Sequence, residues 1–138
     1  MTAMVRNDRR GMTLMEVMIV VIVMAVVAAL AVPGYRQTVE QARSSEGTTN
    51  LSIILMGEKL YKSDNSTFIG GLACASTGTP TTCTAINTAL NTDITAEFYN
   101  LAIGGATKAT FSATATRRGG TKVFTIDQTG TITSAGTY

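Results

Sequence analysis

A lone carboxylate, Glu16, stands just inside the front edge of the apolar run in RRGMTLMEVMIVVIVMAVVAALAVPGY, residues 9–35. A charged side chain at the centre of a bilayer costs about 2.5–3.5 kcal/mol, and less near the interface. Its chemistry is electrostatic: the charge must stay near water or meet a cation. Two further sets of residues carry reactive or charged groups. Cys74 and Cys83 lie in GLACASTGTPTTCTA, a separation unlike the short paired spacings of zinc ribbons or thioredoxin-like motifs. In an exported protein they would form one disulfide closing a Gly/Thr/Pro-rich loop; in a cytosolic protein they would be two free structural thiols. Arg117, Arg118 and Lys122 form a basic knob around an expected hairpin turn. Three cations can touch the phosphates of DNA, although an exposed turn normally carries such charges.

Missing residues narrow the chemistry. Histidine is absent, which removes the commonest metal ligand, the usual general base at neutral pH and most triads. The carboxylates are too scattered for an acid/base pair or a metal cluster. The expectation is no catalytic residue, no metal site and no cofactor, hence not an enzyme. Asn50-Leu51-Ser52 and Asn65-Ser66-Thr67 match the glycosylation tripeptide, a pattern that also recurs by chance.

The elements that position these groups begin with the apolar run. Residues 17–32 contain no polar side chain. As a helix they reach about 24 Å, short of the roughly 30 Å hydrocarbon core. Extended back to Met12 the helix would span, and it then includes Thr13 and Glu16. It is apolar on every face, which excludes a half-exposed amphipathic helix. With roughly a hundred residues left over, the chain is too small to surround it. Arg6, Arg9 and Arg10 precede the run with only Asp8 against them, and beyond residue 11 basic and acidic residues balance. The head therefore has no general basic field for nucleic acid or anionic lipid.

A cleaved secretory signal ending at Ala29-Leu30-Ala31 and an ordinary single-span anchor share this pattern. The junction separates them from a third reading. Gly11 directly precedes Met12-Thr13-Leu14-Met15-Glu16, so the glutamate is fifth after the glycine; Pro33 is twenty-second, followed by Gly34-Tyr35. This register resembles the type IV pilin and pseudopilin family, whose precursors carry a short basic leader ending in Gly. The family more often has Phe where this chain has Met12, and Gly where it has Ala25.

The resemblance implies the following. A prepilin peptidase, also the methyltransferase, cuts between Gly11 and Met12 and methylates the new amine of Met12. Glu16 then pairs with the cationic amino terminus of a neighbouring subunit and helps set register during assembly. Pro33 lacks an N–H and clashes with the carbonyl four residues back, so a kink or loosening is expected near it.

After Pro33, the stretch to Asn65 contains no other proline, and Leu51, Ile54 and Leu55 repeat at helical spacing with Gly47 before and Tyr61 after. Ile53, Met56 and Leu60 widen that apolar surface, either toward other subunits or because the helix is deeply buried. Gly47 and Gly57 each weaken the helix by about 1 kcal/mol relative to alanine. Asp64-Asn65-Ser66 is a stop signal. Residues 66–97 read as a long connection holding the cysteine loop and a short helix near Ala85–Leu90. Alternating segments at 98–103, 109–117, 122–128 and 130–134, separated by glycine pairs and Thr129-Gly130, predict an antiparallel meander. The expected fold is α+β: a long N-terminal helix with an apolar first half, kinked near Pro33, packed on a small antiparallel meander of three to four strands.

The expected organisation is a cleaved leader (1–11), a transmembrane and filament-core helix (12–33), its amphipathic continuation (34–63) and a globular head (64–138). Asp127-Gln128-Thr129-Gly130 near the end resembles the sheet of type IVa pilins, and the small polar tail SAGTY lacks the calcium motif of major secretion pseudopilins. By resemblance the chain is a major pilin precursor, single-pass in the inner membrane and extracellular after assembly. Its partners are identical subunits in a helical filament, the prepilin peptidase, and the assembly platform with its ATPase. Adhesion to a host surface, twitching motility or DNA uptake would be outputs of the fibre. The alternatives are a type II secretion pseudopilin, a minor pilin, and a Sec-exported periplasmic binding domain cut after Ala31.

Overall fold

The computed structural model describes residues 11–137, apart from the side chain of Pro33. Arg6, Arg9 and Arg10, of the expected leader, lie outside the described residues. The chain divides into two units, Met1–Thr38 and Val39–Tyr138, and helix α1 (Leu14–Asn65) contributes to both.

In the first unit Thr13 stands immediately before the helix. Its Oγ1 accepts the Glu16 N–H at 3.2 Å, and its carbonyl accepts the N–H groups of Glu16 and Val17. This satisfies donors that have no partner within the first turn. Glu16 lies in that turn, where the helix dipole favours negative charge. Every described side chain from Leu14 to Thr38 is exposed. An apolar helix with nothing buried needs lipid or other helices around it.

The second unit has its own core. From Val39 onward α1 buries one face, at Gly47, Asn50, Leu51, Ile54, Gly57 and Glu58, the spacing of a single helical stripe. It stops at Asn65, after which Ser66 takes a left-handed φ of 59°. Then follow β1 (Leu72–Cys74), β2 (Thr81–Thr82), α2 (Thr84–Leu90), β3 (Thr95–Ala96), β4 (Tyr99–Gly104), β5 (Ser112–Arg117), β6 (Val123–Asp127) and β7 (Ile132–Ala135). The main sheet is five-stranded and antiparallel in the order β1-β4-β5-β6-β7, and β2 and β3 form a separate short ladder.

The period-two alternation sends Tyr99, Leu101, Ile103, Ala113, Ala115, Phe124 and Ile126 into the core. Register places the small Ala115 between Leu101 and Phe124, and Ala113 between Ile103 and Ile126. Alanines on the central strand leave room for α1, whose Leu51 and Ile54 belong to the same cluster.

Two sequence expectations change. The meander is present as β4–β7, but β1 adds a fifth strand from the stretch expected to be loop. A three-residue strand is too short to show alternation, and its pairing is set by register with β4, Leu72 opposite Ile103 and Cys74 opposite Leu101. The glycines expected only to weaken α1 are points of close approach. A Cβ at Gly47 would lie 3.1 Å from the Tyr99 ring, and one at Gly57 would lie 2.9 Å from Leu90 Cβ. Met56 and Leu60 are exposed, at 70% and 58%, so α1 is not buried all round.

Glu58 is the one acidic side chain among the described residues that is fully buried. Its Oε2 accepts the Ile69 N–H at 3.0 Å, while Oε1 has no hydrogen-bond partner. Burial pushes its carboxyl above the ordinary 4.5, and the Ile69 bond offsets this only in part. The folded state thus holds this proton to higher pH than the unfolded chain. Its stability is greatest below 4.5 and falls as pH rises from there through the raised value. One such group contributes at most about 1.4 kcal/mol per pH unit. Urea unfolding measured across this range should show that decline in the wild type and a flatter profile in Glu58→Gln; equal slopes would exclude Glu58 as its source.

Candidate functional site

Among the described residues no group of three or more Cys, Asp or Glu side chains gathers to hold a metal. The polar chemistry of the second unit concentrates instead where the start of its helical segment meets the β5–β6 turn. Glu46 on α1 accepts the backbone N–H groups of Glu97, Phe98 and Tyr99 through Oε1, at 2.9, 3.1 and 3.4 Å. Charge-assisted bonds of this kind are the strong ones. They hold the β3–β4 corner on the helix and fix Phe98.

Phe98 then organises the cations. The Arg43 and Arg117 guanidinium carbons lie 5.0 and 5.6 Å from its ring centroid, within cation–π range. Its carbonyl accepts Arg118 N–H at 2.9 Å and Arg117 Nη1 at 3.2 Å. Glu40, one helical turn before Arg43, forks with Arg117: Nε donates to Oε2 and Nη2 to Oε1, both at 3.1 Å. Arg43 Nη1 donates to Oε1 at 2.6 Å. The Arg117 bond is the main reason that the Glu40 carboxyl is held below its usual range, and Glu40 in turn raises Arg117.

The basic knob expected from sequence is therefore divided. Arg117 is committed inward, with its side chain 14% exposed. Arg118 is exposed and lies over Gly78, where a Cβ would collide with its guanidinium; Gly78 also has φ 88°. Lys122 is half-buried with its ammonium 5.6 Å from the Phe124 ring. A cleft of about 220 Å³ at this end is lined by Glu40, Arg117, Arg118, Gly119 and Gly120.

Gly78 belongs to the loop between β1 and β2, closed by the Cys74–Cys83 disulfide. Hydroxyls crowd this loop. Thr77 Oγ1 lies 3.0 Å from Thr79 Oγ1 and 2.8 Å from Thr81 Oγ1. Ser76 is buried; its N–H donates to Asn100 Oδ1 at 2.7 Å and its hydroxyl to the Glu97 carbonyl. The disulfide and Ser76 thus tie the loop to the β3–β4 corner that Glu46 holds. Arg118 thus lies beside the hydroxyl-rich loop at Gly78, a cation next to polar groups of the kind that contact phosphate oxygens.

The remaining sequence-derived residues fall elsewhere. Gly11 and Met12 precede α1 and are exposed; Glu16 is exposed in its first turn. Pro33 lies within α1, with its side chain outside the described residues. Asn50 is buried and donates to the Thr95 carbonyl at 2.8 Å, so its glycosylation tripeptide is not available. Sequence reasoning missed Glu40, Glu46 and Thr13. The Glu40/Arg43 spacing is a visible helical pair, and Thr13-Leu14-Met15-Glu16 has the capping-box pattern; nothing local announces the bond from Glu40 to Arg117.

Residues 33–132 match the family described as type IV minor pilin ComP, DNA uptake sequence receptor. Residues 6–32 match the prokaryotic N-terminal methylation motif. The type IV major pilin protein PilA of Myxococcus xanthus (strain DK1622) is 34% identical over 59 residues, 43% of this chain and 27% of that protein. The motif and the exposed apolar helix fit an inner-membrane precursor that becomes part of an extracellular pilus. With its head matched from helix to last strand and its N-terminus matched to the methylation motif, this chain belongs to the type IV pilin family, in the group described as type IV minor pilin ComP, DNA uptake sequence receptor.

Proposed function

We propose that this chain is a minor pilin that binds DNA on the surface of a type IV pilus, as a structural and binding subunit rather than an enzyme. The observation that carries this reading is the match of residues 33–132 to a family described as a DNA uptake sequence receptor. The exposed Arg118 beside the hydroxyl-rich loop supports it, because cations and hydroxyls are what phosphate contacts use. The head reads as neutral over its length, so attraction to DNA rests on local placement of charge.

The same reading includes processing and assembly. A prepilin peptidase cleaves between Gly11 and Met12 and methylates Met12, and the apolar helix moves from lipid into a filament of packed helices. There Glu16 pairs with the Met12 amine of a neighbouring subunit. An unpaired carboxylate in a dry bundle is strongly unfavourable, which makes the pairing a register device. Pro33 removes one helical hydrogen bond and supplies a kink or loosening. The assembly platform and its ATPase extrude the fibre. The Myxococcus xanthus match favours a second reading, a major pilin; a band dominating sheared surface filaments would support it, and trace abundance the minor-pilin reading.

Three outcomes test the proposal. Mass spectrometry of filament-derived protein should find a methylated Met12 at the amino terminus, and a chain starting at Val32 would exclude this processing. Glu16→Ala should insert and be cleaved normally yet enter fibres poorly; an undiminished filament yield would remove the pairing role. Fluorescence anisotropy with labelled duplex DNA should show Arg118→Ala weakening binding and reducing the slope of log K against log salt by about 0.9, the loss of one phosphate contact. Unchanged affinity and slope would take Arg118 out of the interface.

A further inference from the structure

Adjacent arginines at the β5–β6 junction, Arg117 ending β5 and Arg118 opening the turn, have opposite placements. Arg118 is exposed, whereas every nitrogen of the Arg117 guanidinium is engaged: Nε and Nη2 with Glu40, and Nη1 with the carbonyls of Phe98 and Arg118. Arg117 also closes the turn, its N–H donating to the Lys122 carbonyl at 2.7 Å and its carbonyl accepting Gly120 N–H at 3.3 Å. Fixing its side chain to α1 therefore fixes the backbone that presents Arg118.

We infer that Glu40 is a positioning residue for DNA discrimination: it keeps Arg117 off the phosphates and holds the β5–β6 turn so that Arg118 meets the duplex in one geometry. This rests on the DNA-binding reading above. Phosphate contacts add affinity for every sequence alike, whereas discrimination needs groups held against particular base edges or a particular groove shape. A free arginine at this turn would raise binding to all duplexes, and an unpinned turn would blur the geometry. Glu40 prevents both with a single fork, whose two parallel bonds fix orientation as well as charge. Its carboxylate is shared with Arg43, which holds it in place from the same helix.

Charge alone predicts something different. If Glu40 merely repelled DNA through its field, its removal would strengthen binding whether or not Arg117 were present. The two roles separate in a double-mutant comparison.

The experiment uses the full chain in detergent. Its probes are a labelled duplex that wild-type protein retrieves from a random-sequence pool, and a scrambled duplex of equal length. Glu40→Gln should steepen the slope of log K against log salt by about 0.9 as Arg117 becomes available. It should bind the scrambled duplex several-fold more tightly and lower the ratio of selected to scrambled affinity several-fold. Arg117→Gln should lower that ratio without steepening the slope, and the double variant should behave like Arg117→Gln. A slope gain that persists in the double variant would overturn the inference, in favour of a field effect or of Arg43, which Glu40 also holds. So would a discrimination ratio unchanged in either single variant whose thermal midpoint shows it folded. Wild-type protein that binds duplexes but retrieves no preferred sequence would overturn this inference and leave DNA binding standing; wild-type protein that binds no duplex would remove both.

Discussion

One carboxylate seats the head on its helix. Glu46 projects from α1 into the β3–β4 corner and accepts three successive backbone N–H groups, those of Glu97, Phe98 and Tyr99. Hydrogen bonds to a charged group contribute about 1.5–3 kcal/mol each. Much else follows from that contact. Tyr99 is delivered to the gap left by Gly47, where any side chain would meet the ring. Phe98 is held between Arg43 and Arg117, and its carbonyl receives the Arg118 N–H. The Glu97 carbonyl accepts the Ser76 hydroxyl, which ties down the disulfide-closed loop. The corner thus connects the helix, the sheet, the basic turn and the hydroxyl loop through a few adjacent residues.

Several carboxylates of the second unit do internal work, while Asp64 and Asp93 stay exposed. Glu40 is matched to Arg117 and Arg43, Glu46 to backbone donors, and Glu58 is buried with its carboxyl pushed toward the neutral form. Asp127 caps the β6–β7 turn, taking the N–H groups of Thr129 and Thr131 and the Thr129 hydroxyl. Equal numbers of acidic and basic residues therefore do not mean an even field. A carboxylate that has given its charge to a buried partner is screened from an approaching polyanion, whereas exposed Arg118 is not. Balance along the sequence argues against a basic field; the distribution in space leaves a cation beside a run of hydroxyls.

Local order was the legible part. Glycine, glutamate and proline in register identified the N-terminal segment, and glycine-punctuated alternation located β4–β7 and their turns. Stop residues at Asp64-Asn65-Ser66 matched the end of α1. What sequence did not disclose depends on contacts between distant segments. Gly47 and Gly57 look like helix weaknesses until Tyr99 and Leu90 arrive against them. Strand β1 has no pattern of its own and exists because β4 offers an edge. Arg117 and Arg118 are indistinguishable by type and neighbourhood, yet one faces Glu40, on a helix laid down long before it, and the other faces solvent.

The two parts of α1, one in each unit, carry very different surfaces. Up to Thr38 no described side chain is buried, and from Val17 to Val32 the sequence offers no polar side chain on which water could rest. Beyond Val39 a single stripe is buried and polar groups return, so that part is stable in water through its own core. A helix with a conventional amphipathic pattern throughout could hold a head but could not remain in lipid. One that was apolar throughout would expose too much outside it. Placing the change of pattern within one helix, just after Pro33, lets each part satisfy its own solvent. Glu16 then stands out for a physical reason. From Met12 to Val32 it is the single ionisable side chain, so any dry packing of that stretch leaves its charge in need of a cation.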